Sequence, residues 1–277
     1  MRSVLWGVRI TTRRGFSKAE LARTIEETYY DVLADFFTST PKSVLRKEQD
    51  MTIVSTGVPN VHMNFVLGPR FTSKNMARRT GEALSYFKKK RLPMRFFLGP
   101  SSTPPELGDH LRKQGLIPGW ASPGMVMDLK TVNRQTLPAG LEIHPVEDLK
   151  SFKICVETLG RGFEIQEENL EESCEIIMGF GIGPTRRWFL GMLDGKPVST
   201  SMMVPHKGLA GIYAVATIPE ARGKGVATAV TREALLAAKD MGYETAILEA
   251  SKMGFPVYSR LGFKECCMFK TYIWTPK

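Results

Sequence analysis

The segment from Glu220 to Val230, EARGKGVATAV, places basic residues and glycines directly before small apolar residues. The apolar spacing that follows predicts a helix as far as about Met241. A helix start leaves four N–H groups without partners and carries a partial positive charge, so it attracts phosphate groups. Small residues there leave the backbone open to such a ligand. The predicted anion-binding loop comprises Arg222, Gly223, Lys224, Gly225, Val226, Ala227 and Thr228.

Two common phosphate-binding motifs do not fit this loop. A Walker A loop needs Ser or Thr after its Gly-Lys pair and a glycine five residues before that pair, whereas Gly225 follows Lys224 and Ile218 stands at the first position. A dinucleotide fingerprint needs a third glycine where Thr228 stands, and a βαβ unit rather than the hairpin predicted here. The pattern [RQ]-x-x-G-x-[GA] at a strand-to-helix turn fits, and an ordinary glycine-rich turn remains the alternative.

The segment ATIPEARGKGVATAV, followed after one helix and one strand by LEASKMGFPVYSRLGF, resembles the GCN5-related N-acetyltransferase (GNAT) superfamily. The resemblance covers residues 140–277. The first half resembles the degenerate partner domain of tandem members, with LGPRFTSKN where the glycine loop is expected. LRKQGL at 111–116 and YSRLGF at 258–263 also match each other, which indicates an internal duplication.

The resemblance implies acetyl-CoA as cosubstrate, with no metal. Val215, Ala216 and Thr217 are then expected on the strand that pairs with the pantetheine arm, and Gly223 to Thr228 around the pyrophosphate. Ser251 stands where the family often has an asparagine that bonds the coenzyme's arm. Tyr258 stands at the tyrosine that protonates the departing thiolate.

The proposed tyrosine role is chemically reasonable. A thiol has a pKa of about 8.5 and a phenol one of about 10, so the phenol stays protonated at neutral pH and donates to the thiolate. An ammonium acceptor must also lose a proton before it attacks. Glu249, at the end of the strand ETAILEA, is the candidate general base. Ala246 occupies a position where some relatives carry a glutamate, and ordered water is the alternative base.

The predicted fold class is α/β (α+β), with two GNAT-like domains, each a mixed, mostly antiparallel sheet flanked by helices. The predicted boundaries are a basic segment over 1–17, a degenerate domain over 18–136 and a catalytic domain over 137–277. Hairpins are predicted at Asp194-Gly195 and at 206–208, and the chain is predicted to end in a pair of strands.

The net charge of +10 is unevenly distributed. Residues 1–136 hold 22 Lys and Arg against 11 Asp and Glu, and residues 137–277 hold 16 against 17. The excess indicates either an acidic partner or a solvated basic surface. FKKKRLP at 87–93 fits a helix C-terminus, where cations meet the negative end of the dipole, so nucleic acid is not the expected partner.

A second charged segment, EIQEENLEESCE, is predicted to place Glu164, Glu168, Glu171 and Glu175 on one helical face. That face attracts a cationic amine or is simply solvated. The four histidines lack metal-ligand spacing, and the four cysteines form no CxxC motif and suit a reducing compartment. No apolar run reaches the roughly 20 residues of a membrane span.

The expected function is an acyltransferase that moves the acetyl group of acetyl-CoA to a primary amine of a small molecule or peptide by direct attack. The alternative is a non-catalytic module of the same fold that binds acetyl-CoA or a partner. The expected compartment is the cytoplasm. The Arg-rich, acid-free first sixteen residues make the mitochondrial matrix the alternative.

Overall fold

The structure is a computed structural model and describes residues 17–276. The segment with the predicted targeting role, residues 1–16, lies outside the described residues. Within residues 17–276, no helix is long and apolar enough to cross a lipid bilayer. The same part of the chain holds no group of three or more His, Cys, Asp or Glu side chains that could bind a metal ion. All four cysteines are free thiols.

The elements of the first half, in chain order, are α1 (Lys18–Phe37), β1 (Val44–Lys47), β2 (Thr52–Ser55), β3 (Asn64–Leu67), α2 (Met76–Lys90), β4 (Met94–Leu98), α3 (Leu107–Lys113), β5 (Ile117–Pro118) and β6 (Ser122–Asp128). Those of the second half are β7 (Leu141–Val146), α4 (Leu149–Gly162), α5 (Glu167–Phe180), β8 (Arg187–Leu193), β9 (Lys196–His206), β10 (Leu209–Thr217), α6 (Val226–Asp240), β11 (Thr245–Glu249), α7 (Phe255–Leu261) and β12 (Lys264–Trp274).

Local sequence signals account for the turns between these elements. Asp194 and Gly195 join β8 to β9 with φ of 49° and 73°, and Lys207 and Gly208 join β9 to β10 with φ of 49° and 79°. Two consecutive positive φ values match the twist of a two-residue hairpin. Both predicted hairpins are therefore confirmed. The predicted helix C-terminus is confirmed as well, because Lys88–Lys90 form the last turn of α2.

The strands form one sheet in the order β1-β2-β3-β4-β12-β6-β11-β10-β9-β8-β7. Among the strands of residues 17–276, only β3–β4 and β10–β11 pair in parallel, so the prediction of a mixed, mostly antiparallel sheet flanked by helices is confirmed. The predicted terminal strand pair is wrong, because β12 is one strand of 11 residues. Its first part, Lys264–Phe269, pairs with β6, and its second part, Lys270–Trp274, pairs with β4.

This pairing exchanges strands between the two halves. The last long strand of the first half, β6, lies between β11 and β12, and the last strand of the second half, β12, pairs with β4. The division at residue 136 stays a prediction, and the sheet continues across it.

Helix α1 packs over the region where the halves meet. Ile25 on α1 belongs to a core cluster that includes Phe97 of β4, Ile247 of β11 and Phe269 of β12. Helices α6 and α7 pack against a second cluster, which contains Ile212 and further residues of β10 and β11. A helix from the first half therefore covers strands of both halves.

Candidate active site

The loop between β10 and α6 has the backbone geometry for which its glycines are needed. Gly223 and Gly225 adopt left-handed conformations with φ of 76° and 77°. Residues with a Cβ rarely take this conformation, because the Cβ approaches the following carbonyl oxygen. Gly225 is the N-cap of α6, and no side chain caps the helix.

The first amides of α6 have no hydrogen-bond partner among the described residues. Within residues 17–276, no hydrogen bond engages the N–H groups of Val226, Ala227 or Thr228; the first helical bond runs from Ala229 N to Gly225 O at 3.1 Å. The loop residues Gly223–Gly225 are exposed. Three unpaired donors at the positive end of a 15-residue helix form a seat for an anion.

Arg222 lies beside this anion-binding site, and its side chain bonds to groups that hold the loop in place. Its Nε donates to Thr217 O at 3.1 Å, and its Nη2 donates to Gly162 O at 3.0 Å. Nη2 also pairs with Glu164 at 2.5 Å. The guanidinium therefore ties the ends of β10 and α4 to the loop, and contact with a phosphate stays a prediction. Lys224 is exposed.

Helix α2, which stands at the matching place in the first half, begins differently. Met76 N, the counterpart of Val226 N, donates to Thr72 O at 2.9 Å, and Asn75 N, just before the helix, donates to the same oxygen at 3.1 Å. Arg79, on the first turn, pairs with Asp50 at 2.5 Å. A bonded helix start beside a carboxylate is a poor seat for a phosphate. This geometry supports the predicted loss of the glycine loop from the first copy.

Strands β10 and β11 stop pairing before β10 reaches the glycine loop, and we call the region between their unpaired ends the cleft. The two strands pair in parallel only at two register positions, of which Gly211 with Ile247 is the last. Beyond them a bulge interrupts β10, and Ala214 takes a φ of 48°. The segment Val215–Thr217, predicted to pair with an extended ligand, follows this bulge. Its edge away from β9 has no strand partner in the described sheet.

Tyr258 lies on α7, on the face of the sheet that also carries α6, and is 8% exposed. Its ring lies so close to Gly254 that a Cβ on that residue would stand 2.7 Å from Tyr258 Cε2. Burial, and then the charge of Glu249, raise the pKa of Tyr258 well above its ordinary value. The phenol therefore stays protonated at neutral pH, as a proton donor requires.

Helix α3 of the first half ends with the same backbone hydrogen bond as α7, but it has a leucine where α7 has Tyr258. Phe263 N donates to Tyr258 O at 3.0 Å, and Leu116 N donates to Leu111 O at 3.1 Å, so α7 and α3 end alike. Leu111 occupies the place that Tyr258 has in the second half. The common closure supports the predicted duplication.

Ser251 follows β11 and begins the turn into α7. Its hydroxyl accepts a hydrogen bond from Gly254 N at 3.0 Å. The hydroxyl hydrogen is still free to be donated to a ligand. Contact with the coenzyme stays a prediction for this residue.

Glu249, the last residue of β11, is half-buried and faces α1. The hydroxyl of Tyr29 donates to its Oε2 at 3.2 Å. Burial raises the pKa of Glu249, and hydrogen bonds from Ser122 and Tyr29 with the charge of Arg95 offset part of that rise. A carboxylate whose pKa is shifted toward neutrality suits proton abstraction near pH 7.

Tyr29 and Arg95 belong to this site although no sequence motif marks them. Tyr29 comes from α1, and Arg95 from β4 of the first half. Helix α1 and the exchanged strands bring them close to Glu249. Contacts between residues so far apart in the chain leave no local sequence pattern. The one available signal is Arg95 itself, a cation inside the otherwise apolar strand MRFFL.

The predicted acidic helical face needs one correction. Helix α5 begins at Glu167, so Glu168, Glu171 and Glu175 share the helix and Glu164 precedes it. Glu164 has a φ of 53° and pairs with Arg222. The spacing of the glutamates continues past the helix start into the turn between α4 and α5, so spacing alone did not reveal where the helix begins.

Comparison with known proteins agrees with this geometry. Residues 190–266 match the family model described as "Acetyltransferase (GNAT) domain". No curated protein matches the chain by sequence.

Several solved structures share the fold over most of the chain. A GCN5-related N-acetyltransferase from Kribbella flavida superposes with a TM-score of 0.65 at 15% identity, covering 89% of this chain and 95% of its own. One from Sphaerobacter thermophilus gives 0.63 at 16% identity, covering 95% of this chain and 94% of its own. A tandem GNAT protein from the clavulanic acid biosynthesis pathway gives 0.58 at 13% identity, covering 94% and 97%. The chain therefore shares its fold with these proteins, and residues 190–266 match the GNAT domain model.

Proposed function

We propose that the protein is an acetyl-CoA-dependent N-acetyltransferase that acetylates a primary amine of a small molecule or peptide. The observation that carries the proposal is the open start of α6, where the amides of Val226, Ala227 and Thr228 are unbonded in the described chain. At the start of α2 in the first half, Met76 N is already bonded to Thr72 O and Arg79 pairs with Asp50, so that helix start is less suited to an anion. The GNAT domain match over residues 190–266 points to the same chemistry.

The residues of the second half fit the parts of acetyl-CoA. The α6 start provides donors for the pyrophosphate, and Lys224 adds an exposed positive charge beside it. Beyond Gly211, the free edge of β10 provides backbone groups for the two amides of the pantetheine arm. The arm then lies as an added strand in the cleft between β10 and β11. The thioester is thereby directed toward Glu249 and Tyr258, which approach the cleft from opposite faces of the sheet.

Acetyl-CoA supplies the reactive acyl thioester. Glu249 accepts a proton from the acceptor ammonium, directly or through a water, and the amine nitrogen then bonds to the carbonyl carbon. As the carbon–sulfur bond breaks, Tyr258 donates its phenolic proton to the thiolate, and the nitrogen loses its second proton to the phenolate through water. Glu249 then releases its proton to solvent, so the products are an amide and a thiol, and both side chains return to their starting forms. The raised pKa of Glu249 makes it a stronger base, and the raised pKa of Tyr258 keeps the phenol protonated at pH 7. No covalent enzyme intermediate forms.

The direct test is release of the coenzyme's thiol from acetyl-CoA across a panel of primary amines, with the acetylated product identified by mass. We expect thiol and N-acetyl product in equal amounts for at least one amine. Binding of acetyl-CoA without thiol release for any amine would contradict transfer and favour a coenzyme-binding module of the same fold. The compartment, cytoplasm or mitochondrial matrix, stays a prediction.

A further inference from the structure

Arg95 forms no ion pair in the described part of the chain, although the charge of Glu249 acts on it from a longer distance. It lies on β4 between buried neighbours, and its Nε is buried with no hydrogen-bond partner. No Asp or Glu side chain of residues 17–276 lies within 4.0 Å of its nitrogens. Burial lowers the pKa of Arg95, and the charges of Tyr29 and Glu249 offset only part of that fall.

The contact that Arg95 does make brings no negative charge. Its Nη2 lies 2.6 Å from Nδ1 and 2.9 Å from Nε2 of His62. His62 is exposed by surface area, yet its ring nitrogens face the guanidinium. Burial and then the charge of Arg95 lower the pKa of His62 to about 4, so the imidazole is neutral at pH 7. The exposed residue also marks a side from which solvent reaches this cluster.

Arg95 lies beside the candidate general base. The charges of Tyr29 and Glu249 act on its pKa, and its own charge lowers the pKa of Glu249. The Glu249 carboxylate is itself held by Tyr29 at 3.2 Å. The cluster therefore contains a base that is already hydrogen-bonded and a guanidinium that is not satisfied.

A largely buried cation without a hydrogen-bonded anion is costly, and a ligand anion within hydrogen-bond distance reduces that cost. A guanidinium binds a carboxylate through two parallel N–H···O bonds. One positive charge is matched by the single charge of a carboxylate. A phosphate carries about 1.5 to 2 negative charges at pH 7, and its excess would repel Glu249.

We infer that Arg95 binds a carboxylate on the acceptor, so that the acceptor is an amino acid or a similar molecule with both an amine and a carboxylate. This inference rests on the proposed function, because it assigns the acceptor side of that site. The acceptor's amine then faces Glu249 and its carboxylate faces Arg95. The first half contributes the acceptor anchor, and the second half contributes the coenzyme seat.

The test compares each of the twenty amino acids with its carboxamide as acceptor, using thiol release from acetyl-CoA. The variants are Arg95→Gln, which removes the charge, and Arg95→Lys, which keeps the charge but cannot form the two parallel N–H···O bonds of a guanidinium. Arg187→Gln, an exposed arginine at the start of β8, is the matched control. We expect at least one amino acid to exceed its carboxamide about tenfold or more in kcat/KM, because a hydrogen-bonded charge contributes strongly to binding. Arg95→Gln is expected to remove that preference, mainly through KM, while Arg187→Gln retains it.

Two further measurements separate the possible failures. Calorimetry with acetyl-CoA is expected to give the wild-type affinity for Arg95→Gln. The melting temperature of this variant should not fall, because the substitution removes a buried charge that forms no ion pair. Equal rates with amino acids and carboxamides would overturn the inference and leave the transferase in place. If no amine reacts, thermal shift with the same amino acids in the presence of coenzyme A decides. Stabilisation by amino acids over carboxamides that Arg95→Gln abolishes supports the carboxylate site, and its absence overturns it.

Discussion

The phenol of Tyr29 donates a hydrogen bond to Glu249 Oε2 at 3.2 Å, although 220 residues separate the two in the chain. Tyr29 comes from α1, the helix that packs over the strands of both halves. The candidate base therefore depends on the first half for its environment. This dependence gives the degenerate half a role in the site without a coenzyme seat of its own.

Tyr29→Phe is expected to move the acid limb of the kcat/KM–pH profile to higher pH. The lost hydrogen bond is one of the effects that lower the pKa of Glu249, so this pKa rises further and the base is protonated at a higher pH. Tyr30→Phe is the matched control, because the Tyr30 hydroxyl is buried without a partner. An unshifted limb in Tyr29→Phe, or an equal shift in both variants, would contradict the assigned contact.

Glu249→Gln is expected to lower kcat by about 10² to 10⁴ and to abolish the acid limb. The stability of the variant is expected to be retained or increased, in contrast to its activity. Because the folded-state pKa of Glu249 is raised, ionisation costs stability as pH rises through the interval between its unfolded and folded values. The difference in melting temperature between Glu249→Gln and the wild type is therefore expected to shift in favour of the variant from pH 4 to pH 7. A large loss of stability at pH 7 would show that the carboxylate is structural.

Tyr258→Phe is expected to lower kcat by about 10² or more while the affinity for acetyl-CoA stays unchanged. The phenol is buried with a raised pKa, so the wild-type profile should show no basic limb from its ionisation below pH 10. Stopped-flow thiol release and calorimetry separate turnover from binding. Wild-type turnover in Tyr258→Phe would exclude the phenol as proton donor.

Asp31→Asn is expected to lower the free energy of unfolding by about 0.5 kcal/mol at pH 7. Asp31 joins α1 to the β9–β10 turn through His206 at 3.0 Å and Lys207 at 3.1 Å. Burial favours the neutral acid, but hydrogen bonds from Lys207 and His206 with their charges outweigh it and lower the pKa of Asp31. The stabilisation is therefore present above the unfolded pKa and lost as pH falls through the folded one.

Urea unfolding at pH 7 and pH 3 measures this difference. Asp109→Asn, which removes an exposed helical pair with Arg112, is the control and should have little effect. A stability difference in Asp31→Asn that stays the same at pH 3 would contradict the assignment.

Features fixed by a few neighbouring residues could be predicted from the sequence. The hairpin at Asp194-Gly195 depends on two positive φ values, and the open start of α6 on Gly223 and Gly225, which are needed at their own positions. In contrast, β12 continues through Lys270 because its pairing partner changes from β6 to β4. A change of partner leaves no turn residue in the sequence, so the predicted strand pair was wrong.

The same reason limits the prediction of the site. Tyr258 and Glu249 follow motifs along the chain, whereas Tyr29 and Arg95 reach the site only through the exchanged strands and α1. Arg222 carries a charge that suits phosphate, yet carbonyl groups and Glu164 hold it. A residue type predicts which interactions are available, and the tertiary fold selects among them.

The central claim is that the open amides of α6 hold the pyrophosphate of acetyl-CoA. Gly225→Glu places a carboxylate at this seat. Gly242→Glu is the matched control, because Gly242 follows the other end of α6, has a φ of 85° and is also exposed. Both substitutions place a side chain on a left-handed residue, so their backbone strain is comparable.

Calorimetric titration with acetyl-CoA measures the difference. We expect about one site per chain in the wild type, since the glycine loop precedes α6 and α2 begins with a bonded amide beside Asp50. We also expect an affinity loss of about 100-fold or more in Gly225→Glu against near wild-type binding in Gly242→Glu. Equal affinity of the Gly225→Glu and wild-type proteins would contradict the seat and the transferase assigned to it.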